Sequence, residues 1–525
     1  ELVEPVKPIV YYLDPGTPEN LKKYMRQGIE DWQKPFETAG FKNAIIAKDA
    51  PSPEEDPEFS PEDIRYSVVR YVASTTRNAV GPSVSDPRSG EIIESDIIWY
   101  HNHLRSYRNR YLLETGAANP SARTLNTSEE EIGEMMRMVI AHEVGHALGF
   151  PHNMGAILNS LRDGAFTQEF GLAASLMDYT RYNYVAQPGD KNIRFVRQMG
   201  PYDHYATNWG YRYIPEAKTP EDEKSILNKW ILEKADDPKY KFGRQSSSFD
   251  PQSQTEGVGD DPVLASTYGL KNLKYVAANL PAWTSDKTNN YDDLEELYGE
   301  LLGVYSRFVG HVVTNIGGVI ENLKTPEQGG FIYTHLDKKS QQESMQWLQK
   351  NIFETPDWLI DKKILQNIDH AGYFENVRGL QERHLNSILS FDRLGRLIDA
   401  ETTTENYYSA LEMMKDLRSG IWSEAYNGKS ASIYRRNLQR SYVDRMGYLL
   451  TNEGSSRRSG RAGFEGTISY DVKVSDVRSL ARGELNTLRS QLKRARNSGV
   501  NTITKYHYED AIARIDELLE GSTAK

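Results

Sequence analysis

Between His142 and His152 the chain reads His-Glu-Val-Gly-His-Ala-Leu-Gly-Phe-Pro-His, and no other stretch constrains the local fold as tightly. On an α-helix, His142 and His146 stand one turn apart on the same face, where both imidazoles reach a single ion. Glu143 is then the adjacent base. Gly149 occupies a position where a left-handed residue ends a helix at little cost, and the reversal it permits returns His152 towards the same ion as a third ligand. Three protein ligands leave one coordination position open, which is what separates a catalytic Zn2+ from a closed structural one. The helix carries its own signals. Ser128 and Glu131 read as a capping box, and Ile132, Met135, Met136, Val139 and Ile140 follow at helical spacing, so a helix is predicted over residues 129–148.

Composition narrows the rest. A chain of 525 residues is too long for one ordinary core and predicts two or three domains. A net charge of −11 argues against a nucleic-acid binder, because phosphate neutralisation needs a basic face. Cysteine is absent, which removes disulfides, thiolate ligands and cysteine nucleophiles together and leaves zinc to nitrogen and oxygen donors. No apolar run reaches the length of a membrane span, and no segment specifies an oligomeric state. The chain starts without methionine and runs almost at once into a β-prone stretch, so it reads as a processed or trimmed fragment whose signal, anchor or pro-region would lie upstream.

Along the chain, residues 8–14 read as a strand. A helix opening at Thr17-Pro18 carries Leu21, Tyr24, Met25, Ile29, Trp32 and Phe36 as far as Gly40. Strands follow over 43–47 and 64–72. Two more, 81–84 and 91–99, flank an Asp86-Pro87-Arg88-Ser89-Gly90 turn as a hairpin. His101 and His103 read as polar loop residues rather than a second metal site, and His204 as a surface or hydrogen-bonding residue. Asp178 fits either a turn or an acceptor for a ligand histidine. From about 214 the texture changes, with 244–261 reading as loop or linker. Helical stretches then recur over 291–324, 340–352, 375–398, 404–417, 430–451, 471–497 and 504–520, with a polar loop at 451–466 containing Arg457, Arg458 and Arg461. The division expected is a zinc-site domain at 1–213, an extension at 214–290 and a mainly helical domain at 291–525.

One loop after the third histidine stands Ser175-Leu176-Met177-Asp178-Tyr179. The long histidine motif followed by this Ser-x-Met-x-Tyr sequence resembles the metzincin clan, and within it the astacin and serralysin branches. The resemblance implies that Met177 is the Met-turn residue, an apolar floor beneath the histidines, and that Tyr179 ligates zinc or stabilises an oxyanion. Asn153, after the third histidine, departs from the glutamate, serine, aspartate or proline of the familiar branches, so no branch specificity carries over.

Pro8–Asp14, Asp86–Ile92 and Gly200–Asp203 extend the likeness to a bacterial met-zincin family in which a catalytic domain precedes a long helical region. That likeness implies an α+β fold and a zinc endopeptidase acting on protein or peptide substrates with Glu143 as general base. It also implies an extracytoplasmic setting, whether secreted, periplasmic or surface-anchored. In metzincins an edge strand above the zinc pairs with extended substrate, and the region near 78–85 is expected to fill that role, with an ordinary exposed hairpin as the alternative. Two other functions stay open: a catalytically silent zinc-binding adhesin or scaffold, and a zinc hydrolase of non-peptide amides or esters.

Overall fold

The computed structural model describes residues 2–155, 172–245, 248–285, 290–452 and 472–521, so the arginine-bearing loop expected at 451–466 lies outside the described residues from 453 onward. The chain forms two compact units. Glu1–Ser247, Gln252–Val304 and Asn322–Phe331 make the first, and Ser248–Pro251, Tyr305–Glu321 and Ile332–Lys525 the second.

The first unit begins β1 (Ile9–Leu13), α1 (Glu19–Glu30), α2 (Gln33–Thr38), β2 (Ile45–Asp49) and β3 (Ser67–Val72). It continues through β4 (Ala79–Val80), β5 (Val84–Ser85), β6 (Ile92–Glu94), β7 (Ile97–Tyr100), α3 (His103–Thr115) and α4 (Glu129–Ala147). Five strands form one mixed sheet in the order β2-β1-β3-β7-β4; β4 runs antiparallel at one edge and the other pairings are parallel. Tyr11, Leu13, Ile45, Val69, Ile97 and Trp99 of the sheet share a core with Met25 and Ile29 of α1 and Met136, Ile140 and Val144 of α4. Burying each such side chain stabilises the unit by roughly 1.5–3 kcal/mol. This is the α+β architecture expected.

Three departures from the sequence reading have local causes. The helix expected from Thr17 to Gly40 breaks between Glu30 and Gln33, because Pro35 has no N–H for Asp31 O and its ring crowds that carbonyl. The strand expected over 91–99 splits at Ser95-Asp96. There the Ser95 N–H donates to Ser67 Oγ (3.0 Å) and Asp96 accepts from the Val68 N–H (2.9 Å), so side chains replace the ladder. β6 therefore pairs with β5 in a separate hairpin whose Asp86–Gly90 turn is closed by Gly90 N–H to Asp86 O (2.8 Å), and β7 joins the main sheet. Of residues 244–261, read as a linker, the stretch from Gln252 onward packs within the first unit, whereas Ser248–Pro251 group with the second. Glu256 is buried and pairs with Arg110 (2.5 Å) and Arg181 (2.8 Å). Helices Pro220–Lys234 and Pro262–Thr284 lie on either side of this segment.

The second unit is mainly helical. Tyr373–Ile388, Phe391–Thr403, Ala410–Ile421, Ile433–Thr451, Val477–Ala495 and Thr502–Gly521 bury a centre containing Trp422, Tyr442 and Tyr508. The run expected over 291–324 stops at Asn315, after which Val319–Glu321 pairs antiparallel with Tyr333–His335. The run expected over 375–398 breaks where Ser390 takes an extended backbone and starts a new helix. Among the described residues, no helix is long and apolar enough to cross a membrane.

Candidate metal centre

Helix α4 begins where expected, with Ser128 Oγ accepting the Glu131 N–H (3.2 Å). The second half of the capping box is absent, because the Glu131 carboxylate instead accepts from Tyr111 Oη and Ser121 Oγ. At the far end Gly149 has φ +92°. Gly149 N–H donates to His146 O (2.9 Å) and Phe150 N–H to Gly145 O (3.0 Å), the pair of bonds that closes a helix through a left-handed residue. The chain thereby doubles back. His152 Nε2 comes to 2.9 Å from His146 Nε2 and 3.2 Å from His142 Nε2.

The other nitrogen of each ring faces an acceptor. His142 Nδ1 meets Leu176 O (2.8 Å), His146 Nδ1 meets Phe150 O (2.9 Å) and His152 Nδ1 meets Gln245 Oε1 (2.7 Å). These acceptors favour the tautomer that carries the proton on Nδ1, which turns the Nε2 lone pairs to a common point. Burial lowers all three pKa values, that of His152 to about 4, so the rings are neutral and able to ligate. Three nitrogens around one tetrahedral zinc at ~2.0–2.1 Å would stand about 3.3 Å apart, close to the separations found. Among the described residues this is the one group of three or more His, Cys, Asp or Glu side chains able to share an ion.

Met177 is buried beneath the helix, where a Cβ on Gly145 would run into its sulfur and into the Trp32 ring. Trp32 Nε1 donates to Ala141 O (2.8 Å) and the ring stacks on Phe150 at 5.3 Å, which fixes the helix end from below. The turn carrying Met177 hangs on Asp203, in the first turn of helix Pro201–Tyr211. Asp203 accepts from Ser175 Oγ, Leu176 N–H and Gly200 N–H, each at 2.7 Å. Sequence reasoning missed this role; the Gly-Pro-x-Asp helix start was its visible signal. Asp178 serves its own turn, accepting from Thr180 N–H (2.8 Å) and Oγ1 (3.1 Å). Asp203→Ala would strand three buried donors, and a loss on the order of 3 kcal/mol is expected. That corresponds to melting roughly 5–10 °C lower; an unchanged melt would remove Asp203 as the anchor.

A sequence profile described as Met-zincin matches residues 124–429, more than half of the chain. The chain belongs to this family. No curated protein and no solved structure matches the chain significantly. Membership together with the histidine cluster supports a metzincin-type zinc hydrolase.

Around the histidines this Met-zincin places further groups. The Tyr179 ring lies 4.4 Å from that of His152 and 5.6 Å from that of His142, centroid to centroid, and burial raises its pKa so that it keeps its proton. Glu143 is buried at 8% exposure. That burial pushes its carboxyl up to about 7, against the opposing pull of the Arg197 charge and a hydrogen bond from the Gly81 N–H. Arg197 is buried, donates through Nη1 to Thr180 O (2.9 Å) and brings Nη2 to 3.2 Å from His142 Nδ1. Neither Gly81 nor Arg197 is marked by any motif.

Of the remaining histidines none joins the cluster. His101 meets Tyr71 Oη, and His204 Nδ1 meets Thr38 Oγ1 (2.8 Å). His103, read as a loop residue, starts α3 and is buried between Trp99 and Tyr107 at 5.5 and 4.6 Å.

Proposed function

We propose that this Met-zincin is a zinc-dependent endopeptidase acting on protein or peptide substrates. The observation that carries the reading is one of convergence: three neutral imidazoles share a focus, the neighbouring residue is a buried carboxyl, and that carboxyl is touched by Gly81, the first residue beyond the antiparallel edge strand β4. The residues proposed to hold metal, to act as base and to pair with peptide are thus neighbours. His142, His146 and His152 would hold Zn2+, which when bound supplies Lewis acidity, bringing water towards a pKa of ~7 and polarising a carbonyl.

The other steps belong to the chain. An extended substrate adds to the outer edge of β4 through main-chain hydrogen bonds, which orients the scissile bond and leaves side-chain selection to the pockets alongside. Glu143, held by the Gly81 N–H, takes a proton from the attacking water and returns it to the leaving amine. Tyr179, still protonated, donates a hydrogen bond to the oxygen that gains negative charge. Met177 keeps the floor under the histidines apolar and rigid.

Zinc content and casein cleavage, compared between this chain and Glu143→Ala, test the reading. Zinc in both with cleavage only by the parent supports it; zinc in both without cleavage by either favours the silent scaffold. Hydrolysis of model amides or esters with no protein cleaved favours the non-peptide hydrolase.

The base must be ionised to act, so activity should rise with pH as Glu143 loses its proton. Its carboxyl lies above the ordinary 4.5, and the midpoint of the acid limb in kcat/KM is expected between that value and about 7. A midpoint below the ordinary carboxylate range would exclude Glu143 as the group responsible.

A further inference from the structure

The three Nδ1 acceptors differ in kind. Leu176 O and Phe150 O are backbone carbonyls, present whatever side chains the sequence carries there. Gln245 Oε1 is a side-chain atom, delivered from 93 residues away. It reaches His152 because of Asn153, the residue that fits none of the familiar metzincin branches. Asn153 is fully buried, and its amide is used on both sides: Oδ1 accepts from Gly243 N–H (2.8 Å) and Gly155 N–H (3.1 Å), while Nδ2 donates to Lys241 O (3.0 Å). Met154 N–H donates to Gly243 O (2.9 Å), and the segment is held from behind by Ser253 Oγ donating to Arg244 O (2.8 Å). Asn153 N–H also donates to Met177 O (3.1 Å), so one residue ties the third histidine, the Met-turn and the 241–245 segment together.

We infer that Gln245 is the positioning residue of the third histidine and that Asn153 clamps the strap, Lys241–Gln245, that brings it there. The inference rests on the zinc reading above. An imidazole in solution exchanges its proton between two nitrogens, and only the tautomer protonated on Nδ1 leaves Nε2 able to ligate. With Oε1 turned to the ring, Gln245 accepts from Nδ1–H, and this contact sets the ring plane and leaves Nε2 free to ligate before metal arrives. As the one side-chain acceptor of the three, it is also where a single substitution can retune the metal without touching α4 or the Met-turn. Gln245 is exposed, so the core does not depend on it.

The test measures the Zn2+ dissociation constant by competition with a chelator for the parent, Gln245→Leu, Gln245→Glu and His152→Ala. It is paired with the His152 tautomer by 15N NMR and with melting of the metal-free proteins. Gln245→Leu is expected to weaken Zn2+ by about 10–100-fold, the usual effect of losing a ligand histidine's partner. It should also shift His152 away from the Nδ1–H form while leaving the metal-free melt unchanged. Gln245→Glu, with a charged acceptor, should match or exceed the parent affinity. Parent-like affinity and tautomer in Gln245→Leu, with zinc lost in His152→Ala, overturns the role of Gln245 alone. Parent-like zinc binding in His152→Ala overturns the three-histidine reading and this inference with it.

Discussion

Replacing Glu143 with Gln is expected to lower peptide hydrolysis by about 10²–10⁴-fold, the range a positioned general base contributes, while zinc remains bound. Gln has nearly the same shape, so the approach of Gly81 to the helix is kept. None of the three converging nitrogens belongs to residue 143. The amide simply cannot accept a proton from water and hand it on. Stability gives a second reading of the same variant. The Glu143 carboxyl sits at about 7 in the fold against 4.5 ordinarily, so the folded protein binds more protons than the unfolded chain between those values and its stability falls as pH rises across that window. Gln removes this penalty, and above pH 7 the variant should melt no lower than its parent. Steady-state kinetics with zinc analysis checks the first expectation; hydrolysis at the parental rate would remove Glu143 from the mechanism.

The second large effect is expected at Gly81. A Cβ built there falls 2.5 Å from Glu143 O, 3.1 Å from its carbonyl carbon and 3.2 Å from its Cβ. Two of those atoms are helix backbone and cannot rotate away, so Gly81→Ala must part the edge of the sheet from α4. The overlap should cost about 1–3 kcal/mol. Its effect on catalysis should exceed its effect on stability, because the same shift removes the Gly81 N–H from the base and moves the edge on which substrate would align. A displacement of about 1 Å in such a site is worth on the order of 10²-fold in rate. Zinc should be retained, since every Nδ1 acceptor lies elsewhere. Kinetics, melting and zinc content measured together decide it; parental kcat/KM would mean that the edge strand tolerates movement and does not register substrate against Glu143.

What could be read from the sequence was what the chain encodes locally. His142, Glu143 and His146 follow from helical period, and His152 from a glycine placed where a helix can turn back. Met177 and Tyr179 gained meaning from standing one loop later. Pro35 was equally local, and its interruption of the first helix was legible though overlooked. Gly81, Arg197, Asp203 and Gln245 belong to another class. Each acts on the centre from 27 or more positions away in the chain, through backbone approach or one hydrogen bond, and no periodicity records such a contact. Ser95 and Asp96 split a strand because Ser67 and Val68 receive them, which a reading of residues 91–99 alone does not contain. The change of texture near 214 is real in composition, yet packing of the first unit takes in Gln252–Val304 and Asn322–Phe331, since buried partners such as Glu256 lie past it.

Asn153 has one more consequence, in the order of synthesis. Its amide is satisfied by Lys241 and Gly243, and the acceptor for His152 arrives two residues later. A chain emerging from the ribosome folds from its amino end as material becomes available. The histidine motif therefore leaves the ribosome roughly ninety residues before the strap that completes its surroundings. Throughout that interval a polar amide destined for burial has only the neighbouring Gly155 N–H of its final partners, and the third imidazole lacks its side-chain acceptor. Completion of the centre is thereby timed to the translation of a segment well beyond the motif, and a chain interrupted earlier carries the three histidines without the acceptor that aims the third.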